Sequence, residues 1–268
     1  MKVASKCGTV AAATVLALII VWAQDVKVDL SKETVGKAPT VFEPQMGTWI
    51  VAQDGADRVI KVDGEAFKAT LSTPDRLLLD TARKLYGTTN EDLMDNAKQF
   101  TMFPVAVMKN SPVFSNGTIS VKFKTLSGNA DRASGILFNV KPNGDWLCIR
   151  YNDTDSNIGL WEFHNGVRRL IKFSDRAKPV HLDAAVWHDL KMTTAGADFK
   201  AWIDGDLAIE YTFGTMPGPG RNGAAPNPDL IPANNPVLQP PVSGKVGLWS
   251  KTDSTVLFKD YVITMEKK

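Results

Sequence analysis

The sequence predicts an all-β fold, a two-sheet antiparallel jelly-roll sandwich, and three observations carry that expectation. Residues 117–125 alternate, with Ile119, Val121 and Phe123 on one side and Thr118, Ser120 and Lys122 on the other, which is the period of a half-buried strand. Similar short runs follow at close spacing to the end of the chain. The breaks between many of them are compact turn signals: Pro142-Asn143-Gly144, Asn165-Gly166 and Asp204-Gly205.

The opening residues stand apart from this pattern. Lys2 and Lys6 precede an apolar run from Cys7 to Trp22, and Val21 and Ala23 occupy the positions a signal peptidase reads. Residues 1–23 are therefore expected to be a signal peptide, with the mature chain beginning near Gln24 and the protein secreted or periplasmic. The run is short against the roughly 20 apolar residues of a membrane span, although retention as an N-terminal anchor stays open. Beyond this leader no membrane contact is expected.

Residues 24–46 read as a polar extension, and 47–268 as the jelly-roll domain. Strands are expected near 48–52 and 58–62. An insertion over 69–100 reads as helical instead: Leu77, Leu78, Ala82 and Leu85 share one face, Leu93, Met94 and Ala97 another, after the start signals Pro74-Asp75 and Thr89-Asn90. From 102 onward strands are expected at 134–140, 145–152, 158–163, 168–173, 187–194, 198–203, 207–213, 244–250 and 255–264.

Hairpin register assigns side chains to faces. A loop at 142–145 would set Val140 opposite Leu147, Phe138 opposite Ile149 and Ile136 opposite Tyr151, giving one wholly apolar face and leaving Asn139, Cys148, Arg150 and Asn152 on the other. Around Asp204-Gly205, a three-residue loop would pair Ile203 with Leu207, Ala201 with Ile209 and Phe199 with Tyr211, placing Trp202 outside with Lys200 and Glu210. Glu162 faces Arg169 across Asn165-Gly166, as a surface ion pair would. The proline- and glycine-dense stretch 214–243 cannot be a regular element and reads as a surface excursion, with a functional lid as the alternative.

Charge and cysteine narrow the function classes. The 31 basic and 29 acidic residues come into balance once Lys2 and Lys6 leave with the signal, so no nucleic-acid partner is indicated. Cys148 is the one cysteine expected in the mature chain, which rules out an internal disulfide and a cysteine metal site. His164, His181 and His188 are too scattered to match a metal-ligand spacing, and no nucleophile elbow or phosphate loop is present.

The stretches FPVAVMKN, NGTISVKFKTLSGNADRASGILFNV, DWLCIRYNDTDSNIGLWEFHNGVRR, WHDLKM, DFKAWIDGD and GKVGLWSKTDSTVLFKDYVI resemble bacterial secreted proteins of the concanavalin A-like jelly-roll fold. Within that group they are most similar to 3-keto-disaccharide hydrolase domains and family 16 glycoside hydrolase-like proteins. The resemblance spans roughly 47–264. It implies a concave sheet able to hold a sugar, and it maps the family's polar positions onto Arg150 and Asn152, onto Asp155 and Asn157, and onto the turn residues Trp249, Lys251, Asp253 and Ser254. Where relatives carry two adjacent acids before the last strand, this chain has Lys259-Asp260.

Catalytic residues are not identified by this reading. Glycoside hydrolysis needs two carboxylates across the scissile bond, yet no Glu-x-Asp-x-x-Glu run occurs; Asp155 and Asp253 are the remaining catalytic candidates. Binding groups are more plentiful. Trp249, Trp202 and Trp161 offer aromatic platforms, and Arg150, Asn152, Asn157, Lys251, Asp253 and Ser254 offer planar or hydroxyl hydrogen-bonding partners. Three functions follow as expectations: a carbohydrate-binding jelly roll, a carbohydrate-active enzyme acting on a modified disaccharide, and a structural or adhesion module. No cofactor is implied, and a structural calcium ion is left open.

Overall fold

The computed structural model describes residues 24–66, 102–217 and 228–266. The expected signal peptide, the helical insertion at 69–100 and part of the proline-rich stretch lie outside these residues. Among them, two antiparallel sheets face each other. The first runs β13 (Asp206–Thr212), β12 (Asp198–Ile203), β11 (His188–Ala195), β6 (Gly117–Ser127), β15 (Thr255–Met265), β4 (Asp57–Val62), β3 (Trp49–Asp54), with β1 (Gln24–Lys27) also paired to β15. The second runs β10 (Val167–Phe173), β9 (Asn157–His164), β8 (Trp146–Asn152), β7 (Ala133–Val140), β14 (Lys245–Ser250), β5 (Val105–Met108), β2 (Phe42–Met46). This is the jelly-roll sandwich that the alternation predicted.

The central core lies between the sheets. Ile119, Val121 and Phe123 of β6 meet Ile136 and Phe138 of β7 and Leu147, Ile149 and Tyr151 of β8, as the period-2 pattern requires. A second apolar layer lies on the opposite, outer face of the second sheet, built from Leu137, Trp146, Cys148, Trp161, Phe163 and Trp249 under Phe103. Strands β7 and β8 are therefore buried on both faces along their whole length, which is why ASGILFNV and WLCIRYN show so little polar text.

Two hairpin registers differ from expectation for local reasons. In β7–β8, Phe138 pairs with Leu147 and Ile136 with Ile149, two residues off the predicted match. Asn139 sits at φ 53°, a left-handed kink that sends Val140 to the outer layer and lengthens the turn. Around Asp204-Gly205 both turn residues have positive φ, so the connection is a two-residue turn pairing Ile203 with Asp206. A bulge after Ala201 restores the expected pairs Ala201–Ile209 and Phe199–Tyr211. Two further strands, β1 and β2, form from the polar opening stretch; β2 contains Pro44 and lies at a sheet edge, where a missing donor is tolerated.

The proline-rich stretch is not a surface excursion over its described part. Leu230, Val237, Leu238 and Val242 are buried in the central core. The side-chain amide of Asn139 donates to the Val237 carbonyl at 3.3 Å and its oxygen accepts from the Ser243 N–H at 2.9 Å.

Nor is the Glu162–Arg169 pair a surface one. Glu162 is fully buried on the core side of β9, accepting from Asn235 Nδ2 at 2.6 Å, with Arg169 at 3.4 Å. The burial that leaves its carboxylate dry pushes its pKa up to about 7. Because the folded state then holds a proton the unfolded state has released, stability should fall as pH rises from about 4.5 toward 7. His164 nearby is shifted up by its bond to Asp145. Urea unfolding of the wild type and of Glu162→Gln across pH 4–8 isolates the carboxylate: the difference between the two should carry the slope, and a pH-independent difference would contradict the assignment.

Candidate glycan-binding face

The site candidates of β8, β9 and the β14–β15 turn come together through a loop that sequence reasoning did not single out, residues 128–132. Asp253 holds this loop by its backbone: its carboxylate accepts from the N–H of Asn129 at 2.8 Å, of Ala130 at 3.1 Å and of Asp131 at 3.1 Å. Burial raises the Asp253 pKa, but these N–H groups outweigh it and leave the acid below its ordinary value. Ser254 Oγ donates to the Asp131 carbonyl, or to that of Lys251, and accepts from the Ala133 N–H. The turn is thus a clamp on the loop.

What the clamp presents is Asp131. Its carboxylate pairs with Lys251 Nζ at 2.7 Å and accepts from Thr252 Oγ1 at 2.8 Å and from Asn152 Nδ2 at 3.0 Å. The same Asn152 nitrogen donates to Asp155 at 2.9 Å, while the Asn152 oxygen accepts from the Arg132 N–H and Thr154 Oγ1. Asp155 in turn pairs with Arg150 Nη2 at 3.1 Å, and Arg150 Nη1 donates to Asn157 Oδ1 at 3.2 Å. A continuous polar chain therefore joins Asp253 to Asn157 across segments about a hundred residues apart. Burial raises the Asp155 pKa, yet the Asn152 hydrogen bond and the Arg150 charge hold it below its usual value, so it is a carboxylate at neutral pH and no proton donor.

Arg150 lies at the centre of the outer face, fully buried. Cross-strand register sets Trp249, Gly135, Arg150 and Gly159 side by side on β14, β7, β8 and β9. The two glycines make room for the large groups: a Cβ at Gly135 would stand 2.7 Å from the Ile149 carbonyl oxygen, and one at Gly159 would stand 2.4 Å from Trp161 Nε1. The Arg150 guanidinium lies 5.3 Å and that of Arg168 4.1 Å from the Trp161 ring. Burial, and then the neighbouring Arg150 charge, lower Arg168 to about 10, still cationic at neutral pH.

Not every candidate joins this face as an open contact. Trp249 is fully buried and stacks on Phe103 at 5.9 Å, so it packs the layer instead of forming an open platform. Trp202 lies on the outer face of the other sheet, with Lys191 Nζ 4.5 Å from its ring, and shares nothing with Arg150. Asp131 and Arg168 belong to the site but escaped sequence reasoning; Arg168 reads only as the start of the strand 168–173, and Asp131 is informative only through long-range contacts. Among the described residues, no cluster of three or more His, Cys, Asp or Glu side chains is arranged to hold a metal ion.

Cys148 lies beneath the two arginines, fully buried, and burial pushes its thiol up to about 12. A chain starting at Gln24 should accordingly leave a thiol-reactive disulfide reagent unreacted in buffer and consume one equivalent in denaturant. Reaction in the native state within minutes would show that the outer layer is open.

Among solved structures, the chain is similar to the carbohydrate-binding module CBM66 from Bacillus subtilis, at TM-score 0.50 and 15% identity over 84% of this chain and 96% of that one. The sandwich is a concanavalin A-like jelly roll. Weaker likenesses reach the Crh5 transglycosylase, at TM-score 0.49 and 12% identity over 91% and 85% of the two chains, and the Bacillus licheniformis beta-glucanase, at 0.38 and 14% over 62% and 71%. No family model and no curated protein matches the chain, and the narrower similarity to 3-keto-disaccharide hydrolase domains rests on the sequence stretches alone.

Proposed function

We propose that this jelly roll is a secreted or periplasmic carbohydrate-binding protein that holds a glycan on the outer face of its second sheet. The observation that carries the reading is the meeting of Arg150, Asp155 and Asn157 beside Trp161, in a geometry fixed from below by Asp131 and the Lys251–Ser254 clamp. Sugars offer apolar C–H faces and paired hydroxyls, and an indole ring flanked by guanidinium, carboxylate and amide groups complements both. The likeness to a carbohydrate-binding module supports the same reading at the level of fold.

Binding is favoured over turnover by the state of the acids. A glycosidase needs one carboxyl held protonated opposite one ionised carboxylate. On this face Asp155 is held ionised, and Glu162, the acid raised to about 7, points into the central core. A glycan array probed with the chain from Gln24, followed by reducing-end assay on each bound sugar, tests the proposal. Binding without release of reducing ends is expected; release would establish an enzyme, and a silent array would set the glycan reading aside.

A further inference from the structure

One strand of the first sheet changes partners along its length. On the edge away from β6, β15 pairs with β4 over Val256–Phe258 and with β1 over Val262–Met265, and Lys259 and Asp260 pair with neither. The break is a bulge: Asp260 sits at φ 52°, and the register against β6 slips between Lys259 and Val262. Here the sheet parts, and a cleft of about 750 Å³ opens between residues 27–31, where β1 ends, and the β3–β4 hairpin. That volume lies within the roughly 300–1,000 Å³ of small-molecule sites. Arg58 of the hairpin donates to the Ser31 carbonyl on the facing wall, and Lys259 Nζ pairs with Asp57 at 2.6 Å. Both walls are therefore tied in place.

The lining is open to solvent and balanced in charge. Lys27, Arg58 and Lys259 face the cleft together with Asp29, Asp57 and Asp260. All but Lys259 are exposed. Because the six charges cancel, the cleft exerts no net pull on a charged ligand. What it offers is donor-only and acceptor-only groups close to one another. A hydroxyl is both donor and acceptor, so adjacent hydroxyls of a sugar can accept from the cations and donate to the carboxylates without leaving a proton unmatched. Val28, Leu30 and Ala56 line the same cleft and supply apolar surface for C–H groups.

We propose that this cleft is a second carbohydrate site, on the opposite sheet from the Arg150 face and independent of it, and that it takes a neutral oligosaccharide. Its charges are exposed and screened, so binding is weak, in the millimolar range.

The test is titration of the ¹⁵N-labelled chain from Gln24 with cellotriose, laminaritriose, xylotriose and mannotriose, and with trigalacturonate as the charged comparison. At least one neutral trisaccharide should shift the backbone amides of Lys27, Asp29, Arg58 and Asp260 together and saturably, and bind more tightly than trigalacturonate. Lys27→Ala and Asp57→Ala, one on each wall and both at exposed positions, should each weaken that binding by about fivefold, with the remaining amide spectrum confirming the fold. No saturable shift at the cleft with any of the four, or binding that both variants leave unchanged, would overturn the second site. Tighter binding of trigalacturonate would overturn the neutral preference. Amides at 150–157 report on the Arg150 face in the same spectra, so the two sites stand or fall separately.

Discussion

Asp253→Ala should cost about 3 kcal/mol of stability, because it strips the acceptor from three consecutive backbone N–H groups in a partly buried loop. The effect should not stop at stability. Once residues 129–131 lose their anchor, Asp131 no longer meets Lys251, Thr252 and Asn152 together, and Asn152 loses the partner that fixes its amide beside Asp155. Glycan affinity should therefore fall along with the urea midpoint. Asp253→Asn retains one acceptor oxygen and should cost clearly less. A loss below about 1 kcal/mol for the alanine variant, smaller than one buried charged hydrogen bond is worth, would show that the turn is not the clamp described.

Gly159→Ala is expected to act on both folding and binding. The added Cβ would stand 2.4 Å from Trp161 Nε1, far inside contact distance, and the indole must move. Overpacking of this kind costs about 1–3 kcal/mol. Displacing the ring that both the Arg150 and the Arg168 guanidinium approach should weaken glycan binding by about tenfold or more. Trp202→Ala on the opposite sheet serves as the contrast: it should leave affinity unchanged. Unaltered binding in Gly159→Ala, or a loss only in Trp202→Ala, would move the site to the other sheet.

The fold was legible in the sequence to the extent that its strands alternate. Strand β6 announces itself through Ile119, Val121 and Phe123, and most of the later strands follow the same rule. Register was less legible, because the single left-handed residue Asn139 reverses which side Val140 faces, and nothing in local text marks an asparagine for that conformation. Burial by distant segments explains two further misreadings. Trp249 looks like rim text beside Ser250 and Lys251 but lies under Phe103, and Glu162 looks like half of a surface pair but is dry because Asn235 of the proline-rich stretch packs onto it. Both outcomes depend on partners far away in sequence, where periodicity carries no information.

The site was legible as residue types and not as an arrangement. Arg150, Asp155 and Asn157 each stand out as candidates, and the structure pairs the arginine with the other two. Whether the Lys251–Ser254 turn reached them could not be read, since the connection runs through Asp131, a residue in a Gly-Asn-Ala-Asp-Arg loop with no local signature.

The most direct measurement is the set of indole N–H resonances in a chain labelled with ¹⁵N-tryptophan, followed while a glycan selected from the array is added. The account predicts that the Trp161 resonance, assigned with Trp161→Phe, shifts as the glycan binds beside Arg150, Asp155 and Asn157, while that of Trp202 stays in place. Movement of Trp202 with Trp161 unchanged would contradict it.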